Sequence, residues 1–144
     1  MKVTMLLADA AQVVNGKLYI LGGGWSIIGP EPSPSALAIK IEVPWTETNR
    51  PHDFQLDLLT EDHQPVIIEN KPVQLKGQFE VGRPVGLPPG VPLDAAIAIN
   101  INPLPLAPGR RYLWELSINT HTHEDWRVAF ITRAQAAQAQ QTGP

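Results

Sequence analysis

The sequence predicts an all-β fold, a two-layer antiparallel β-sandwich that is immunoglobulin-like in layout, with about 7–9 strands, and a closed barrel as the alternative. Three observations carry this. Apolar and polar residues alternate along several short segments, as they do in strands with one dry and one wet face. The chain has 15 prolines, about twice the average share of ~5 %, and most fall between the alternating segments. Proline lacks an N–H donor and is confined to turns, edges and strand ends. The 144 residues, 43 % of them hydrophobic, are enough to fill one core.

The elements follow in order. Asn15-Gly16 stands between Val13-Val14 and Lys17-Leu18-Tyr19-Ile20-Leu21. That pattern predicts a hairpin, since a type I′ turn needs positive φ at both central residues. Gly22-Gly23-Gly24 marks a kink, a bulge or a close backbone approach around Trp25, with a short strand over 25–28. Residues 29–35 form a proline-stiffened loop. The strand 37–43 points Leu37, Ile39, Ile41 and Val43 inward, and Pro44 ends it. A loop carrying Trp45 leads to a strand over 54–59. Glu61 to Gln64 form a turn, and Val66, Ile67 and Ile68 extend that hairpin or lie on an edge. The run 73–81 reads V-Q-L-K-G-Q-F-E-V, the clearest alternation in the chain. Residues 82–92 are a long loop with Pro84, Pro88, Pro89 and Pro92. The strand 93–101 puts Leu93, Ala95, Ile97, Ile99 and Ile101 on one face. Its other face carries Ala96 and Ala98, which predicts a cover from another element or a second subunit. After a stiff loop, strands over 111–118 and 126–132 form a terminal hairpin around a turn at 119–125. One domain spans 1–133. The Ala/Gln-rich tail, 134–144, is expected to be a short helix or a frayed, flexible end.

Composition excludes several functions. There is no cysteine, so disulfides, thiolate nucleophiles and Cys-ligated metal sites are ruled out. The net charge is -3 and no Lys/Arg cluster forms a footprint for nucleic acid. No segment approaches the roughly 20 apolar residues of a membrane helix. The N-terminal apolar stretch is short and Asp9 interrupts it, unlike a signal peptide. A cytoplasmic protein without cofactor, nucleic-acid or membrane partner is expected.

Few residue groups suggest chemistry. His121 and His123 point the same way in extended backbone, and Glu124 can add oxygen. Two imidazoles and a carboxylate can hold zinc or iron, but a third ligand such as His52 or His63 is needed. The competing reading is a polar hairpin turn. The three glycines at 22–24 lack the following helix and Lys-Ser/Thr of a phosphate loop. Ser26, Ser33 or Ser35 with His52-Asp53 lacks a nucleophile elbow. The acid pairs Glu61-Asp62 and Glu124-Asp125 sit in turns, where they are solvated.

The residues without an evident structural task lie in the loops. They are Trp25, Trp45, Arg83, Leu87 and Pro88. An indole at a loop can anchor a partner, and proline-rich loops lose little entropy on binding. The expected function is therefore a non-enzymatic binding or assembly module. It acts on a protein partner, a second copy of the chain included, through its Pro-rich loops or an outer sheet face. The alternatives are a small metal-dependent enzyme at His121, His123 and Glu124, and a small-molecule or carbohydrate binder at Trp25 or Trp45.

Two resemblances add to this. Leu7-Ala8-Asp9-Ala10-Ala11, followed by Asn15-Gly16-Lys17-Leu18-Tyr19-Ile20-Leu21-Gly22-Gly23-Gly24-Trp25, resembles the opening of a bacterial family of small proteins that form a domain of unknown function. Pro44-Trp45 and the closing hairpin are similar too. That resemblance implies a β-rich cytoplasmic protein and carries no activity or catalytic residues. Pro108-Gly109 feeding Arg111, Tyr112, Trp114 and Leu116 looks like the last hairpin of immunoglobulin-like or fibronectin-like sandwiches.

Overall fold

The computed structural model describes residues 1–135, so most of the tail lies outside the described residues. The fold is all-β, in agreement with the sequence. Its strands are β1 (Lys2–Ala8), β2 (Ala10–Val14), β3 (Lys17–Leu21), β4 (Ile27–Ile28), β5 (Ser35–Val43), β6 (His52–Thr60), β7 (Ile67–Ile68), β8 (Lys71–Pro72), β9 (Gln74–Phe79), β10 (Leu93–Ile101), β11 (Arg111–Ile118) and β12 (His121–Thr132). They form a three-stranded sheet in the order β1-β5-β10, a five-stranded sheet in the order β4-β12-β11-β6-β9, and the two-stranded hairpins β2-β3 and β7-β8. One sheet is curled as a half-barrel.

A single hydrophobic cluster joins the two larger sheets. Leu37, Ile39, Ile41 and Val43 of β5 meet Phe54, Leu56 and Leu58 of β6 and Tyr112, Trp114, Leu116 and Ile118 of β11. On β5 the inward positions read from the period-two pattern are buried, whereas on β9 and β10 most of them, Leu75, Phe79, Leu93, Ile97 and Ile99, are half-buried. Burial of large apolar side chains contributes roughly 1.5–3 kcal/mol each, which makes this cluster the main source of stability.

Four details differ from the sequence expectation. There are twelve strands among the described residues rather than seven to nine, because β1 and the two-residue strands β7 and β8 carry little pattern of their own. β1 ends in Leu6-Leu7-Ala8, apolar on both faces, which masks its alternation. The strand expected at 25–28 is confined to Ile27–Ile28, and it pairs with β12 in parallel, Ile27 with Ile131 and Ile28 with Thr132. The sheet is thus not purely antiparallel. Finally, the turn expected at 119–125 occupies only Asn119 and Thr120. Both have positive φ, 50° and 69°, which closes a tight turn and puts Ile118 opposite His121. The irregularity lies further along, where the register of β11 on β12 shifts between Glu115 and Ser117.

The hairpin at Asn15-Gly16 forms as expected, with φ of 51° and 72°. It covers Ala98, one of the two alanines on the outer face of β10. The chain bends at Asp9 and lays β2-β3 over the outer face of β1-β5-β10. Ala8, Ala11, Ala36 and Ala38 form a second buried cluster, with Leu18 and Ala98 packed against it. Small side chains let the layers approach closely. Asn100 fastens the cover: its amide donates to the Ala11 carbonyl at 2.8 Å and its Oδ1 accepts from the Ala11 N–H at 3.2 Å.

The glycine triplet anchors the base of this hairpin. Gly22 has φ of +59°, and a Cβ there would fall on the Asp9 side chain, 2.7 Å from its Cγ. The Asp9 N–H donates to the Leu21 and Gly22 carbonyls at 3.0 and 3.2 Å, and the Gly24 N–H donates to Leu7 at 2.7 Å. The triplet is therefore a close backbone approach, built around Asp9 rather than a phosphate.

Candidate functional site

The structure sorts the sequence candidates into separate places. Trp45 and Arg83 come together. Trp45 opens a 3-10 turn, Trp45–Glu47, after Pro44, and Arg83 follows β9 in the long loop. The Arg83 guanidinium lies 4.1 Å from the Trp45 ring centroid. Its terminal amino group donates to the Trp45 carbonyl and its Nε to Thr48 Oγ1, both at 2.6 Å. The Thr48 hydroxyl in turn donates to the Trp45 carbonyl at 2.7 Å. A stacked cation is worth about 0.5–1 kcal/mol at an exposed site, and the charge-assisted hydrogen bonds add to it. The Asn49 N–H donates to the Val81 carbonyl at 2.8 Å, a second tie between the same loops. Trp45 is half-buried, folded against its neighbours, and borders a shallow depression with Met1, Glu42, Pro44 and Pro92. Leu87 and Pro88 do not join this clasp. They stand exposed in the loop, as does Val85, which is fully in solvent.

Trp25 lies elsewhere. It packs edge-to-face on Phe130, with ring centroids 6.2 Å apart at 87°. It lines a cavity of about 40 Å³ together with Leu7, Ile28, Leu106, Trp114 and Phe130, where the 29–35 loop supplies Pro30, Glu31, Pro32 and Ser33. Its indole Nε1 is buried and has no hydrogen-bond partner. Ser35 at the start of β5 lines the same cavity, whereas Trp45 follows the end of β5. Nine residues of strand at about 3.3 Å each separate the two tryptophans.

His121, His123 and Glu124 are exposed at the start of β12. His123 Nδ1 accepts from the Asp125 N–H at 3.0 Å and lies 3.5 Å from Asp125 Oδ2. Among the described residues no group of three or more His, Asp or Glu side chains converges as a metal site. His52, considered as a third ligand or a triad member, is only 1 % exposed. Its Nε2 lies 2.7 Å from the Glu47 carbonyl, so it carries the proton, and its Nδ1 accepts from the Asn119 amide at 2.8 Å. Ser33 and Ser35 line the Trp25 cavity, beyond the opposite end of β5.

The hairpin β2-β3 shows a surface that the sequence reading passed over. Val13, Val14, Tyr19, Ile20 and Leu21 are all exposed, Tyr19 at 51 % and Leu21 at 70 %; Val13 and Ile20 share the face of the buried Ala11 and of Leu18, and Val14, Tyr19 and Leu21 share the outer face. The signal was in the sequence: Val13-Val14 and Leu18 to Leu21 are apolar at consecutive positions, too many for a two-stranded ribbon with a single buried face.

The frame and these surfaces define a small all-β domain that presents apolar side chains from its loops and from one hairpin. Within that class the chain belongs to the family of unknown function DUF6941, which matches residues 3–130. Comparison with curated proteins and with solved structures gives no match. No helix among the described residues is long and apolar enough to cross a membrane.

Proposed function

We propose that this protein is a non-enzymatic, cytoplasmic binding or assembly module whose partner is a protein, a second copy of the chain included. The observation that carries the reading is the exposed apolar surface of β2-β3. Singly exposed apolar residues are ordinary, but a contiguous group marks an interaction surface. Tyr19 adds a rigid aromatic side chain, the type enriched at interface hot spots. The stiff loop end at Trp45 and Arg83 supports the same reading from the other side of the molecule, since a loop held by hydrogen bonds loses little entropy on binding.

The layout of the frame belongs to this reading. Two sheets on one core support a two-layer sandwich. Tyr112 at the start of β11 supports an immunoglobulin-like one: its hydroxyl accepts from the Ala107 N–H at 3.1 Å, like the backbone-bound tyrosine at a corner of such domains.

Size-exclusion chromatography with light scattering across a dilution series tests the assembly form. A dimer or higher oligomer that dissociates in Tyr19→Lys/Leu21→Lys is expected. A monomer at every concentration, identical in that variant, would remove self-assembly.

A further inference from the structure

The Trp25 cavity has features that packing alone does not require. An indole nitrogen can only donate a hydrogen bond, and nearly all buried donors in folded proteins have a partner. Trp25 Nε1 is the one buried side-chain polar atom without a partner among the described residues. It belongs to a residue that lines a cavity of about 40 Å³. One water needs roughly 10–15 Å³, so the space admits a group of a few heavy atoms.

We infer that this cavity binds a small neutral molecule, or the end of one, made of a short aliphatic group and a hydrogen-bond acceptor such as a carbonyl oxygen. The apolar part of the wall, Leu7, Ile28, Leu106 and Phe130, suits the aliphatic group. The Trp25 N–H suits the acceptor. Glu31 in the rim and the net charge of -3 oppose an anion, which selects a neutral acceptor over a carboxylate. The wall comes from β1, β4, β5, β11, β12 and two proline-bearing loops, so the site is preformed and ligand entry orders little chain. This inference does not rest on assembly through β2-β3.

The test follows the indole N–H resonance of Trp25 in ¹⁵N-labelled full-length protein, assigned by its loss in Trp25→Phe. Titration with 2-butanone is expected to move it downfield and to saturate, with a dissociation constant on the order of 10 mM for so small a probe. Sodium butyrate is expected to leave it in place. Filling the space by Leu106→Phe, in protein whose other resonances show the native fold, is expected to weaken 2-butanone binding at least fivefold. In Trp25→Phe, the methyl resonances of Leu7 and Ile28 report the same loss. A resonance that does not move, a shift linear in probe with no saturation, equal response to butyrate, or a bound water that 2-butanone never displaces would each overturn the inference. The readout works on monomer and oligomer alike, so its failure is distinct from a failure of the assembly reading.

Discussion

Asn119 does three things at the tip of the β11-β12 turn. It adopts φ of 50°, a left-handed conformation that asparagine tolerates better than most residues. Its Oδ1 accepts from the Asp53 N–H at 3.0 Å, and its Nδ2 donates to the buried His52 at 2.8 Å. Replacing it by alanine removes both side-chain bonds, leaves a buried ring nitrogen unpaired and strains the backbone. Asn119→Ala is expected to cost about 2–4 kcal/mol in urea unfolding. Asn119→Gly keeps the turn conformation and is expected to cost about 1 kcal/mol less. Equal losses in the two variants would remove the backbone part of the argument. Gly77 is a second position where one atom decides. A Cβ there would lie 2.7 Å from two ring carbons of Phe54, on the strand paired with it. Gly77→Ala is expected to lower stability by about 1–3 kcal/mol through overpacking, and Gly77→Ala/Phe54→Leu to recover part of that by making room. Thermal unfolding of the two variants decides it. Both glycine and asparagine were visible in the sequence, but their partners were not. Phe54 and Gly77, and Asn119 and His52, meet only through strand pairing.

The hairpin β2-β3 is held on its sheet by small contacts and by one side chain. Asn100 makes two hydrogen bonds to the Ala11 backbone, each worth about 0.5–1.5 kcal/mol net. Asn100→Ala is expected to speed amide hydrogen exchange in β2 and β3 by roughly tenfold while leaving β5, β6 and β11 protected, because local opening is separable from global unfolding. Uniform acceleration across all strands would show instead that the hairpin opens only when the whole core does. The strands β9 and β11 were legible because one face of each is drier than the other, and β5 because its outer face turns polar at Lys40 and Glu42, beyond the covered alanines. β1 was not, since its last residues, Leu7 and Ala8, are buried between the core and the hairpin cover. The start of β12 was not legible either. His121 to Asp125 are five exposed polar residues, the composition of a loop, and only the positive φ at Asn119 and Thr120 extends the strand through them.

The order of pairing is dominated by distant segments. β5 pairs with β1 and then with β10, and β6 pairs with β9 and β11. Loops must close before such contacts form, so refolding is expected on the millisecond-to-second scale typical of all-β domains. Stopped-flow tryptophan fluorescence measures it, and a microsecond phase accounting for the full amplitude would contradict the topology argument. The same distant pairing explains which parts of the candidate sites sequence reasoning reached. Trp25, Trp45 and Arg83 stood out singly as loop residues with no evident structural task. That Arg83 stacks on Trp45 depends on the β6-β9 register, which brings His52 opposite Phe79, and on the Asn49–Val81 hydrogen bond just beyond it. The β5-β10 register sets Ser35 opposite Ile101, where the loops around the Trp25 cavity meet. The alanine-lined contact beneath β2-β3 has a further consequence for how this protein can change. The footing demands small side chains at Ala36, Ala38 and Ala98, while the outward positions of the hairpin, Val14, Tyr19 and Leu21, stand exposed. The outer surface can therefore be rewritten, by evolution or by an engineer, as an exchangeable handle on an unchanged chassis.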